Sequence, residues 1–128
     1  MISSIGDDNP VMYFLHKGFM RPGWMPSPDE TAVLVPEETY TIAFREVQIV
    51  KEGKNATIVT VSRMVYETLW SAKELEKDGI SAEIIDPRRL IPLHKKSVIN
   101  SAKKTGRLLV VDEDSGSYGM TGEIVSLV

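Results

Sequence analysis

The run from Leu75 to Asp86 (LEKDGISAEIID) and the run from Ala102 to Asp112 (AKKTGRLLVVD) follow one plan. Each has a charged helix end, a glycine, a short apolar stretch and then an acid. The glycine suits the left-handed turn that closes a helix, and the apolar stretch suits a strand buried on both faces. Helix, glycine, strand, given twice, is the rhythm of right-handed crossovers between parallel strands. The predicted class is α/β.

Composition narrows the setting. A chain of 128 residues with 42% hydrophobic content is long enough for a domain with a core of its own. A net charge of −3 supplies no basic field for phosphates, which argues against a nucleic-acid partner. With no cysteine, a disulfide framework, thiolate metal ligation and a cysteine nucleophile are excluded. No basic start leads into an apolar stretch and no run reaches membrane-spanning length, so no membrane role and a cytoplasmic location are expected.

Along the chain, the turn-prone Gly6-Asp7-Asp8-Asn9-Pro10 precedes Val11-Met12-Tyr13-Phe14-Leu15, which reads as one buried strand. Residues 18–39, with Pro22, Pro26, Pro28 and Pro36, are predicted to be a linker or arm. Phe19, Met20, Trp24 and Met25 in it point to an arm laid against a protein surface. From Tyr40 a compact unit is expected. Val47-Gln48-Ile49-Val50 alternates like a half-exposed strand, and Thr57-Ile58-Val59-Thr60-Val61 is β-branched like a central one. The intervening Lys51-Glu52-Gly53-Lys54-Asn55 is too short for a crossover, which predicts an antiparallel hairpin. The first strand (45–50) then runs antiparallel, and the strands over 57–61, 81–86 and 107–112 are mutually parallel. Ser62 is the expected cap of a helix over about 64–78, with Val65, Leu69, Ala72 and Leu75 as its buried stripe. A second helix is expected over about 94–104 through Val98, Ile99 and Ala102, although His94 stands where a capping Asp or Ser belongs. A third starts near Met120 and runs to the last residue, which reads as a fragment.

Five stretches, in this order, carry a resemblance: DNPVMYFLHK (8–17), VPEETYTI (35–42), VKEGK (50–54), AEIIDPRRLIPL (82–93) and KTGRLLVVDED (104–114). From Asp7 onward the chain resembles the beta subunit of the decarboxylating component of 2-oxoacid dehydrogenases, of the pyruvate, branched-chain and acetoin types. The resemblance implies a three-layer α/β/α domain with a mostly parallel mixed sheet, like the C-terminal domain of transketolase. It implies three segments: 1–17 as the end of a pyrimidine-binding domain, 18–39 as the arm, and 40–128 as a C-terminally truncated transketolase-type domain. Thiamine diphosphate and magnesium are implied for the parent enzyme. The activating glutamate and the catalytic histidine of the family lie upstream, so this chain is expected to hold no catalytic or cofactor-binding residue and to be inactive alone. Asp7 and Asn9 match positions that hold a structural potassium ion in branched-chain relatives. The chain departs from the family at Pro87-Arg88-Arg89, at His94 and at Tyr66.

The remaining motifs read as structure. Asp112, Asp114 and Glu123 fall at calcium-loop positions, but Gly116 takes a ligand position and Ser117 replaces the required glycine. An acid-edged loop before a helix N-terminus, with room there for an anion, fits better. His16 and His94 have no nucleophile arranged beside them, and hydrogen-bonded or solvated roles suit them.

The leading function is therefore the C-terminal part of a 2-oxoacid dehydrogenase beta subunit. It would serve subunit association with an alpha-type subunit and a second beta-type subunit, and docking of the dihydrolipoyl acyltransferase core. The isolated chain is expected to form a homo-oligomer. The alternatives are a stand-alone interaction module and a fragment of another transketolase-superfamily enzyme. A neighbouring reading frame with a cofactor-binding glutamate would separate the first two. Transketolase itself lacks the Lys104-Thr105-Gly106-Arg107 and Val35-Pro36-Glu37-Glu38 wording.

Overall fold

The computed structural model describes residues 1–20, 34–44 and 46–128. The readings made on Pro22, Trp24, Met25, Pro26 and Pro28, and on Arg45 as a strand start, lie outside the described residues. Two units are distinguished, residues 1–44 and 45–128.

In the first unit a short helix α1 (Ile2–Ile5) and a 3₁₀ turn (Lys17–Met20) flank extended chain. The expected strand Val11–Leu15 is not formed. All five residues are exposed, Met12 at 81% and Phe14 at 80%. An isolated extended segment has no ladder to satisfy its amides and carbonyls, and none of the described residues pairs with this one. Ile42 N–H donates to the Ser3 hydroxyl at 2.9 Å, tying the two ends of the unit together.

The second unit runs β1 (Gln48–Lys51), β2 (Ala56–Thr60), α2 (Met64–Lys77), β3 (Ala82–Asp86), α3 (Lys95–Thr105), β4 (Leu108–Val111) and α4 (Met120–Val125). The sheet order is β1-β3-β2-β4. β2 pairs in parallel with both β3 and β4, and β1 is antiparallel to β3. Strand directions thus follow the sequence reading, and the fold is a mixed, mostly parallel sheet with helices on both faces.

Neighbours do not follow it. β1 and β2 are not a hairpin, because β3 lies between them. The connection can step over an intervening strand because two strand spacings are only about 10 Å, within reach of five residues. Lys54 N–H and Asn55 N–H donate to Ser81 O at 3.0 and 2.8 Å, and Ser81 N–H donates to Asn55 Oδ1 at 2.8 Å, pinning the step against the entry to β3. The register also shifts between Ile49 and Lys51, a bulge that turns β1 into the crossing.

Burial follows the strand alternation. Val59 and Ile85 form a core cluster with Val98 of α3 and Ile124 of α4. On alternate positions Ile58 and Ile84 are buried towards the face of α2, where Val65, Thr68 and Ala72 are buried. Leu69 and Leu75, expected in that stripe, are only half-buried, and Thr68 takes the central place. β3 is buried on both faces, as expected, but β4 is not: as the edge of the described sheet it leaves Leu109 53% exposed.

Gly79 and Gly106 close α2 and α3 with φ of 75° and 71°, the left-handed turns that the repeated pattern predicts. Ser62 does not cap α2. Its φ is 58°, Arg63 occupies the N-cap position, and no side chain caps the helix. The amides of Met64, Val65 and Tyr66 are satisfied instead by tight bonds to Val61, Ser62 and Arg63 carbonyls, which removes the need for a cap.

Candidate functional site

β3 carries a glutamate, Glu83, between the apolar Ala82 and Ile84, and it is 1% exposed. A buried carboxylate is retained only when paired and hydrogen-bonded. Glu83 accepts hydrogen bonds from Ser101 and from Lys104, which lie three residues apart on one face of α3. The nearby Gly53 amide also favours the charged form. The Thr57 hydroxyl of β2 lies 2.7 Å from that of Ser101 and 2.8 Å from that of Thr105. The network joins the β1–β2 crossing, β2, β3 and α3 around one charge.

Burial pushes the Glu83 carboxyl up. The bond from Lys104, then that from Ser101, the Lys104 charge and the Gly53 amide outweigh it, so Glu83 is held below the ordinary glutamate range. The same bond raises Lys104, opposed only in part by burial. Asp86, at the end of β3, goes the other way: burial raises it, and the Arg88 amide and charge offset this incompletely.

Over this network a cleft of about 250 Å³ opens between β1 and α3. Val47, Ile49 and Ile85 form its apolar wall, Asn100, Ser101 and Lys104 its polar wall, and Glu83 its base. It offers an ammonium, a carboxamide and a carboxylate beside an aliphatic surface.

None of the candidate metal, histidine or loop residues weighed from the sequence lines this cleft. Asp7 and Asn9 form a local turn in the first unit, with Asp7 Oδ1 accepting from the Asn9 amide at 2.8 Å and from its side chain at 2.9 Å. His16 Nδ1 accepts from Gly18 N–H at 3.0 Å, and His94 Nδ1 lies 2.7 Å from the Ser97 hydroxyl, so both histidines are hydrogen-bonded locally as expected. Asp112 and Asp114 accept from nearby loop amides, and Glu123 pairs with Lys95 at 2.8 Å. Among the described residues no three His, Cys, Asp or Glu side chains come together as metal ligands would.

The Glu83 network was not read from the sequence, although a signal existed. Glutamate is depleted in strands and almost never fully buried unless paired, so Ser81-Ala82-Glu83-Ile84-Ile85 calls for a cationic partner. Ser101 and Lys104, at helical spacing, are the matching pair.

Residues 45–128 match the family model described as the C-terminal domain of transketolase. The pyruvate dehydrogenase E1 component subunit beta of Bacillus subtilis (strain 168) is 39% identical over 126 residues, covering 98% of this chain and 36% of the relative. The acetoin:2,6-dichlorophenolindophenol oxidoreductase subunit beta of Cupriavidus necator is 39% identical over 128 residues, covering 100% of this chain and 35% of the relative. A solved split-gene transketolase, described as an inactive beta4 tetramer, superposes with a TM-score of 0.66 at 28% identity, over 80% of this chain and 32% of the other. The chain thus spans about a third of the length of these relatives. With the family's sheet and helices in place and its model matched from residue 45 to the last residue, the chain belongs to the transketolase C-terminal domain family.

Proposed function

We propose that this chain is the C-terminal part of a beta-type subunit of a cytoplasmic, thiamine-diphosphate-dependent 2-oxoacid dehydrogenase. Its role is subunit association, with an alpha-type subunit and a second beta-type subunit as partners, and docking of a dihydrolipoyl acyltransferase core. The observation that carries this reading is similarity along 98% of the chain to a pyruvate dehydrogenase beta subunit. Exposed apolar side chains support an associating role, among them Met12, Phe14 and Ile91 at 81%, 80% and 86%. The 28% identity to a split-gene transketolase, against 39% to the dehydrogenase subunit, favours the dehydrogenase over another superfamily member.

The residues described do not fit thiamine diphosphate. The cleft of about 250 Å³ falls below the range of about 300–1,000 Å³ usual for larger ligands, and its base is a carboxylate, not a set of phosphate donors. No magnesium-ligand cluster is found among the described residues. Catalysis belongs to other parts of the enzyme. Asp7 and Asn9 would add oxygen donors to a potassium site completed by preceding residues.

Light scattering over a concentration series tests the associating role. Mass should rise from monomer to a defined oligomer, and the 128-residue chain should give no saturable heat with thiamine diphosphate and magnesium. A monomer at every concentration, or a micromolar cofactor site, overturns the reading.

A further inference from the structure

The cleft between β1 and α3 has a composition that selects its occupant. We propose that it binds a small zwitterion with an aliphatic tail, an apolar α-amino acid. This assignment is independent of the enzyme reading above.

Size is the first constraint. A volume of about 250 Å³ holds roughly eight waters at about 30 Å³ each, which suits a ligand of amino-acid size and excludes a nucleotide. Charge is the second. Glu83 and Lys104 are a paired carboxylate and ammonium, so the base of the cleft is neutral yet presents both signs. A simple anion would face Glu83, and also Glu52, whose carboxylate lies 3.7 Å from Lys104. A simple cation would face Lys104. Only a zwitterion laid antiparallel along the pair meets each charge with its opposite.

Donor and acceptor capacity fits the same ligand. Glu83 has about four lone-pair positions and accepts from Ser101 and Lys104, which leaves capacity for a ligand ammonium. Lys104 has three N–H donors, of which Glu83 takes one and Glu52 lies within ion-pair range of another. The Asn100 side chain, one helical turn before Lys104, makes no hydrogen bond to the described residues. The ligand carboxylate would be held between the free Lys104 proton and the Asn100 amide. The aliphatic tail would then cover Val47 and Ile49; Ile49 is 49% exposed without an occupant.

The full chain would be titrated with L-leucine and followed by amide NMR. Saturable shifts are expected at Val47, Ile49 and Asn100. The same-tailed 4-methylpentanoate and 3-methylbutylamine, each with one charge, should bind at least tenfold more weakly. Asn100→Ala, at an exposed and unbonded position, should keep the melting temperature and lose about tenfold in leucine affinity. No saturation up to about tens of millimolar, well above a 1 mM constant, overturns the proposal. So does equal binding of either analogue, or an Asn100→Ala variant that binds as well as the wild type.

Discussion

Gly53→Ala is expected to abolish the cooperative unfolding transition of the second unit. A Cβ at position 53 would sit 2.1 Å from the Ala82 carbonyl carbon and from Glu83 N, and 2.5 Å from Ala82 O. All three atoms are backbone, so no rotamer change relieves the overlap. β3 is paired on both sides and cannot withdraw without breaking both ladders. Losses above about 4 kcal/mol are exceptional for one substitution and mark a mechanism of this kind. A domain stable by only about 5–15 kcal/mol has little margin for it. Gly116→Ala is the control, since nothing lies within 4 Å of a Cβ there. Urea denaturation followed by circular dichroism reads both variants. A Gly53→Ala midpoint equal to that of the wild type would show that the crossing does not touch β3.

The second large effect is a reversal of pH dependence in Lys104→Met. In the wild type the folded pKa of Glu83 is depressed, so its contribution is present above the unfolded value of about 4.3 and is lost as pH falls through the folded pKa. Without the ammonium, burial dominates and the folded pKa rises above that value. The variant is then penalised at neutral pH and recovers as pH falls through the raised pKa towards about 4.3. The difference in stability between wild type and variant should therefore shrink on acidification. The raised pKa of Asp86 has burial and Arg88 as its causes, not Lys104, so its contribution is expected to cancel in that difference. Removing the charge as well, in Glu83→Gln with Lys104→Met, should restore most of the loss, because the cost lies in leaving the buried Glu83 charge without its cation. Parallel pH profiles for Lys104→Met and the wild type would refute the pairing.

Much of the fold is legible in residue types alone. Gly79 and Gly106 fix where helices stop, because left-handed backbone is cheap only for glycine, and the apolar runs after them fix two parallel strands. Periodicity and connection length set strand direction, which is why β1 is antiparallel as expected. They carry no information about which strand lies alongside, so the insertion of β3 between β1 and β2 could not be read. The close approach of Gly53 to Ala82 is likewise a contact between distant residues. Ser62 illustrates a different failure: a residue type suited to capping sits in a turn whose amides are already satisfied. The Glu83 site is legible in one respect: a glutamate between Ala82 and Ile84 needs a cation, and Lys104 lies at helical spacing from Ser101.

The insertion of β3 also sets an order of events. The ladder between β1 and β3 joins Gln48 to Asp86 and Ile49 to Ile85, so it closes a long loop that contains β2 and α2. Closing that loop costs chain entropy that local helix formation does not, and distant pairings slow folding. β2, α2 and β3 can assemble as one crossover before β1 has anything to join. β1 then arrives after β3, held by a single ladder at one edge of the sheet. In pulse-labelled hydrogen exchange the amide of Ile49 should gain protection after that of Ile84. The segment that precedes β1 is consequently tethered to an edge strand, and a pull on that segment would be relieved at the β1–β3 ladder before it reached the core.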